Sequence, residues 1–170
     1  MELDLYIQNS SHAYKDLKND NNYRITNKNK TLEANMFFAQ MFSKITKFLI
    51  CEKQCNIEYK KIAQEIKNQS KTIAQEANCI LAEIAAVSSE MMANNTQTDL
   101  ETLEIINNNL PLACAPLSKS KIAKHDIDAM FSLLLALFNL NKNEQKHTTI
   151  LKSFQNMIFC LRFIETNLSK

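Results

Sequence analysis

The chain contains no glycine in 170 residues. Average usage of about 7% would supply roughly a dozen. Glycine provides positive φ in tight turns and lets a backbone approach a phosphate closely. Its absence excludes a P-loop and a dinucleotide-binding fingerprint, and it makes two-residue hairpins of the primed turn types difficult to build. Proline is nearly absent as well: Pro111 and Pro116 are the only two, and they share one short segment. A chain with so few helix breakers is expected to be helical.

Arginine is scarce too, 2 residues against 18 lysines. Base-edge reading leans on bidentate guanidinium contacts, so sequence-specific DNA binding is not expected. The lysines are interleaved with acids, 12 basic and 11 acidic side chains over residues 1–92, and the net charge is +2. This is the pattern of solvated helix faces rather than of a phosphate track, and no nucleic-acid partner is expected. The N-terminus is polar and lacks the apolar core of a cleaved signal. The most apolar run, Met130 to Leu140, falls short of the ~20 residues a membrane-spanning helix needs, so no integral membrane segment is expected.

What is present is hydrophobic periodicity. Residues 1–30 are rich in Asn, Lys, Ser and Asp without a sustained period and read as a flexible polar leader, with a short helix near 11–18. From Thr31, the residues Phe38, Met41, Ile45, Phe48, Cys55, Tyr59, Ile62, Ile66 and Ile73 recur at spacings near three and four, and Ala77, Ile80, Ile84, Val87 and Met91 continue the stripe. Such spacing places them on one helical face. The run predicts one helix over 31–92, about 90 Å long at 1.5 Å per residue, with a stutter after Ile73. Residues 93–118 carry a charge of −3 with no base and form the connector. Thr98 and Glu101 fit a capping box for a short helix over 99–107, and the two prolines are expected to forbid regular helix beyond it.

A second stripe, Met130, Leu133, Leu137, Leu140, Leu151, Phe154, Ile158, Leu161 and Leu168, stays on one heptad frame. Glu144 and His147 take the two core positions of the interrupted heptad. Nothing would force the frame to survive a tight turn at 139–143, so one long helix over 119–169 is favoured over a hairpin. The fold class expected is all-α: 31–170 as a single domain, with two long antiparallel helices forming a coiled-coil-like pair or elongated bundle around a Pro-containing connector.

Few residues suggest chemistry. Glu144-x-x-His147 is the spacing that carboxylate-bridged metal bundles use, but those need a second such pair and further carboxylates, and neither His12 nor His125 has a Glu three residues earlier. A polar layer in a continuous helix is the favoured reading, ahead of a turn and then a metal site. Cys51 and Cys55 lie one turn apart, half of a zinc site at most, and helix-seam packing explains them. The five cysteines (Cys51, Cys55, Cys79, Cys114, Cys160) are odd in number without framework spacing, which suggests a reducing compartment or tolerance of free thiols. In "KHDID", His125, Asp126 and Asp128 sit at a helix start, where acids complement the helix dipole. No Ser, Cys or Lys pairs with a base by sequence, so the chain is expected not to be an enzyme and to need no cofactor or metal.

The stretches "MFFAQMFSKITKF", "ILAEIAAVSSEMM" and "ILKSFQNMIFCLRFIETNL" resemble the long helices of secreted filament and translocator proteins of bacterial type III secretion systems. The resemblance covers residues 35–92 and 145–170. It implies a helical interaction or assembly protein that associates with itself or with a chaperone, resident in the bacterial cytoplasm before signal-peptide-independent secretion. The alternatives are a cytosolic helical adaptor or chaperone and a metal-binding bundle. The residues expected to form a protein interface are Phe37, Phe38, Phe42, Phe48, Leu151, Phe154, Ile158 and Leu161; the first four crowd more than one face of their helix, so that end is expected to pack against further helices.

Overall fold

The computed structural model describes residues 21–51, 56–94, 100–118, 122–142 and 145–168. These form six α-helices: α1 Asn21–Cys51, α2 Asn56–Asn68, α3 Ser70–Asn94, α4 Leu100–Cys114, α5 Lys124–Asn141 and α6 Thr148–Leu168. A 3-10 turn, Ala115–Ser118, follows α4. No strand occurs among the described residues. The all-α expectation holds, but the arrangement is a folded bundle rather than a pair of long helices.

The predicted first helix over 31–92 is not continuous. Helix α1 ends at Cys51 and packs against both α2 and α3. Phe38, Met41, Ile45, Ile66, Ile73, Ala77, Ile80, Ile84, Val87 and Met91 are nonetheless all buried. The stripe was read correctly as one apolar face; folding it back buries that face against itself and against α6, which a lone helix could not do. At Gln69 the helix tightens for one turn. The Gln69 N–H donates to the Ile66 carbonyl (3.1 Å) and the Ile73 N–H donates to the Gln69 carbonyl (2.8 Å), the i→i−3 geometry of a 3-10 turn giving way to α geometry. Helix α1 also begins at Asn21, ten residues before the apolar stripe, because extending an existing helix costs little and neither Gly nor Pro intervenes. The rest of the polar leader, including the short helix expected near 11–18, lies outside the described residues, as does Thr98 of the expected capping box.

The connector departs from expectation too. Helix α4 runs to Cys114 with Pro111 inside it. Proline there removes one backbone donor and crowds the preceding turn, a penalty of about 3 kcal/mol in a helix interior. Helix α4 makes the most extensive helix–helix contact of the bundle, with α5, and buries Ile106, Ala113 and Cys114 in doing so. Tertiary packing overrides the local preference. Only at Ala115 does the chain tighten into the 3-10 turn that carries Pro116.

The favoured single helix over 119–169 is overturned. Helices α5 and α6 form an antiparallel hairpin: the Arg162 guanidinium contacts the Asp128 carboxylate at 3.0 Å, while Asn141 and Thr148 meet at the closed end. The heptad frame survives the turn because the interruption from Asn141 to His147 counts one heptad, leaving two core-facing stripes in phase by number alone. Without glycine, the reversal is built from polar side chains. Gln145 adopts φ 53°, a left-handed conformation costing roughly 1–2 kcal/mol for a residue with a Cβ. Its N–H donates to the Asn141 carbonyl at 2.9 Å. The buried Asn141 side chain accepts the His147 N–H through Oδ1 (3.2 Å) and donates through Nδ2 to Thr148 Oγ1 (3.3 Å). Thr148 Oγ1 in turn donates to the Gln145 carbonyl (2.9 Å). Side chains thus satisfy groups that the helix ends leave open.

Helix α6 lies along α1, α3 and α5. Leu151, Phe154, Met157, Ile158, Cys160 and Leu161 are buried on it, against Phe38, Met41 and Ile45 of α1, the Ile80–Val87 stretch of α3, and Met130, Leu133, Leu134 and Leu137 of α5. Among the described residues no buried side-chain nitrogen or oxygen lacks a partner; the Ser88 and Ser153 hydroxyls donate to the carbonyls of Ile84 (2.6 Å) and Thr149 (3.0 Å) four residues back.

Two substitutions test the reversal. Asn141→Ala strands donors of the turn and is expected to destabilise the fold by about 1–3 kcal/mol. Gln145→Gly relieves the positive φ and is expected to stabilise it by up to about 1 kcal/mol. Denaturant midpoints should move in opposite directions.

Candidate functional site

A cleft that gathers polar groups opens where the start of α6 meets the early part of α1 and the later part of α3. Thr31, Leu32, Asn35, Glu83, Val87, Lys146, His147, Thr149, Ile150 and Ser153 line it, around a space of about 800 Å³ that includes its open mouth. Antiparallel packing of α1 with α3 and parallel packing of α1 with α6 bring these three stretches together. At the rim, Lys146 Nζ lies 3.4 Å from Glu90 Oε1. Both side chains are solvated, so the pair contributes little to stability. The apolar side chains of Leu32, Val87 and Ile150 stand among hydroxyl, amide and charged groups in this lining.

His147 is at this cleft, half-buried, with its backbone in the α5–α6 turn and not at a core position of a long helix. The polar-layer reading therefore fails for it, because the helix it required is broken. Glu144 lies outside the described residues. Among those residues no three His, Cys, Asp or Glu side chains gather as a ligand set. The "KHDID" residues do structural work at the start of α5. Asp126 Oδ2 accepts the Ala123 N–H at 2.9 Å, the carboxylate half of a capping box, while its Oδ1 lies 3.3 Å from His125 Nε2. Asp128 pairs with Arg162, whose guanidinium stands 5.8 Å from the Phe131 ring centre.

Of the residues expected at a protein interface, Phe38, Leu151, Phe154, Ile158 and Leu161 are buried. They pack within this chain and present no surface to a partner in this fold. Phe37 is half-buried and meets Phe38 edge-on at 5.2 Å. Phe42 remains substantially exposed and lies against Phe159 of α6 at 4.9 Å; the Phe48 side chain lies outside the described residues. This end of the first helix packs against α3 and α6 of the same chain, which are parts of the two predicted long helices and not the additional helices expected from the connector, the leader or another subunit. Reasoning from sequence missed the exposed apolar residues Phe131, Leu135 and Phe159. In each case a spacing signal existed, since all three stand off the core stripe of their helices, but the stripe alone does not say whether a second face is covered.

Two of the thiols are held in the protonated form. Burial pushes Cys114 and Cys160 up to about 12, far from the thiolate form that reacts. Cys160 Sγ is 3.7 Å from the Phe38 carbonyl, to which its S–H donates. The side chains of Cys51 and Cys55 lie outside the described residues.

No helix among the described residues is long and apolar enough to cross a membrane. Comparison with known proteins finds no matching family model, no matching curated protein and no matching solved structure.

One carboxylate is set apart. Glu76 on α3 is half-buried, and burial first, then the Glu33 charge on α1, holds its carboxyl above its ordinary value of 4.5. A raised folded-state value means that the native chain holds this proton more tightly than the unfolded chain. The contribution is present below the ordinary value and is lost as pH rises through the raised one. Glu76→Gln is therefore expected to raise the melting temperature at neutral pH and to leave it unchanged below 4.5. Thermal melts of parent and variant across that range measure the difference.

Proposed function

We propose that this chain is a non-enzymatic helical interaction or assembly protein that works through apolar side chains on the outside of its bundle. The observation that carries this reading is the placement of Leu32 and Met36 on α1, Leu112 on α4, Phe131 and Leu135 on α5, and Phe159 on α6, all large, apolar and exposed. A single exposed leucine means little. Pairs four residues apart, such as Leu32 with Met36 and Phe131 with Leu135, put neighbouring apolar groups on one helix surface. Removing such surface from water yields about 25 cal/mol per Å², the usual driving force for helix-on-helix docking. Deeply buried thiols and a turn-bound histidine favour no competing catalytic reading.

Membership of a bacterial secretion apparatus, with a cytoplasmic stage before export, stays within this proposal on the strength of the sequence resemblance alone. The two long helices on which that resemblance rests are folded back in the bundle. A second reading, an adaptor or chaperone holding a client segment, is favoured by the mixed lining of the α1–α3–α6 cleft.

Affinity capture from the native host separates these. The parent chain should retain a defined protein partner that Phe131→Glu/Leu135→Glu loses, with circular dichroism unchanged. If Thr31→Lys/Ile150→Glu loses it instead, the cleft is the client site. Equal capture by all three chains would refute both readings. Stoichiometric metal in the purified protein, with unfolding on chelation, would support the metal-binding bundle in their place.

A further inference from the structure

Across α1, α6 and α5 the exposed aromatic residues lie side by side. Phe42 of α1 is 40% exposed, Phe159 of α6 41%, Phe131 of α5 45% and Leu135 of α5 54%. Phe42 and Phe159 touch at 4.9 Å. One turn along α6 from Phe159, Arg162 reaches over Phe131 at 5.8 Å and pairs with Asp128 at 3.0 Å. The antiparallel hairpin sets Phe131 at the level of Phe159, since Asp128 meets Arg162 and Asn141 meets Thr148. Three phenylalanines, a leucine and one ion pair thus form a single strip on the hairpin face. Aromatic residues and arginine are the types that dominate interface energetics, whereas lysine and glutamate are depleted there.

We infer that this strip is the two-fold interface of a homodimer, covered by the same strip of a second copy. Three observations select a second copy over a different partner. First, an isologous contact requires a patch complementary to itself, and this one carries both charge signs side by side, in the Asp128–Arg162 pair next to Phe131. A half-turn about an axis passing between these two groups would set each arginine opposite the other copy's aspartate without juxtaposing like charges. Second, a net charge of +2 raises little repulsion between copies. Third, the area fits a modest dimer. An aromatic side chain carries about 150–250 Å², so the exposed fractions leave roughly 300–400 Å² of apolar surface. That is close to half of the ~800 Å² per partner of a standard interface, and a polar rim supplies the remainder. The inference deepens the interaction reading above by assigning its partner and surface, and it rests on that reading.

The test is sedimentation or light scattering of the full chain from roughly 1 µM to 1 mM, the range in which a modest dimer dissociates. The parent is expected to pass from monomer to dimer and no further. Phe159→Asp is expected to remain monomeric throughout, with unchanged far-UV circular dichroism and an unchanged melting temperature at the low end of the range. Arg162→Asp and Asp128→Arg should each weaken dimerisation at least tenfold, and mixing the two should restore it as a heterodimer, because one strip is then wholly acidic and its partner wholly basic. A defect of folding alone would not be rescued by mixing.

A parent that stays monomeric over the whole range overturns the inference, as does a dimer insensitive to Phe159→Asp or a mixture that fails to recover. A dimer formed through another face, or a host partner lost with Phe131→Glu/Leu135→Glu while the parent is monomeric, would overturn the homodimer and leave the broader interaction reading standing. Higher oligomers that grow with concentration would also overturn it, since a closed two-fold contact cannot propagate.

Discussion

The buried side chain of Asn141 ties the end of one helix to the beginning of the next, accepting the His147 N–H and donating to Thr148. Much of the bundle's geometry depends on the reversal it makes. Because α6 turns back along α5, Arg162 meets Asp128. Cys160 comes under the Phe38 carbonyl, and Phe159 lies beside Phe42. A chain without glycine has limited means to reverse direction. Here a glutamine takes the left-handed conformation, and hydrogen bonds from an asparagine and a threonine offset the strain.

Once the hairpin is closed, packing follows from residue size. Helix α3 presents Ala77 and Ala86 among larger side chains, including Ile80, Ile84 and Met91. Small groups let neighbouring backbones approach, and branched ones fill the space between. Phe38 and Phe154 are fully covered, which accounts for the concentration of aromatics on α1 and α6 that first suggests a partner surface. The buried hydroxyls of Ser88 and Ser153 return their hydrogen bonds to their own helices, and among the described residues every buried side-chain nitrogen and oxygen has a partner.

The surface has a different logic. Residues that the fold leaves outside, Phe131, Leu135 and Phe159, lie on helices whose opposite faces are already committed to the core. Their exposure comes from having a second apolar face, and a globular monomer gains nothing by keeping one. The cleft beside His147 is the other such feature, with apolar and polar groups mixed in its lining.

The sequence by itself determined that the chain is helical and which residues face inward. Both properties are local: the lack of glycine and the presence of only two prolines leave the helix almost unopposed, and a period of 3.6 groups side chains within a few turns. Thus Phe38, Ile80, Leu137 and Phe154 were legible as members of apolar helical stripes. Where the helices break was decided by the tertiary structure. Reversal after Asn141 and passage of α4 through Pro111 each cost a few kcal/mol locally. Those sums are outweighed by burying one apolar stripe against another tens of residues away. A heptad frame that crosses a turn in phase carries no record of that choice, because counting residues along the chain does not reveal which stripe each will meet. For the same reason, burial within the chain and exposure at its surface could not be told apart for Phe38 and Phe159 until the helices were packed.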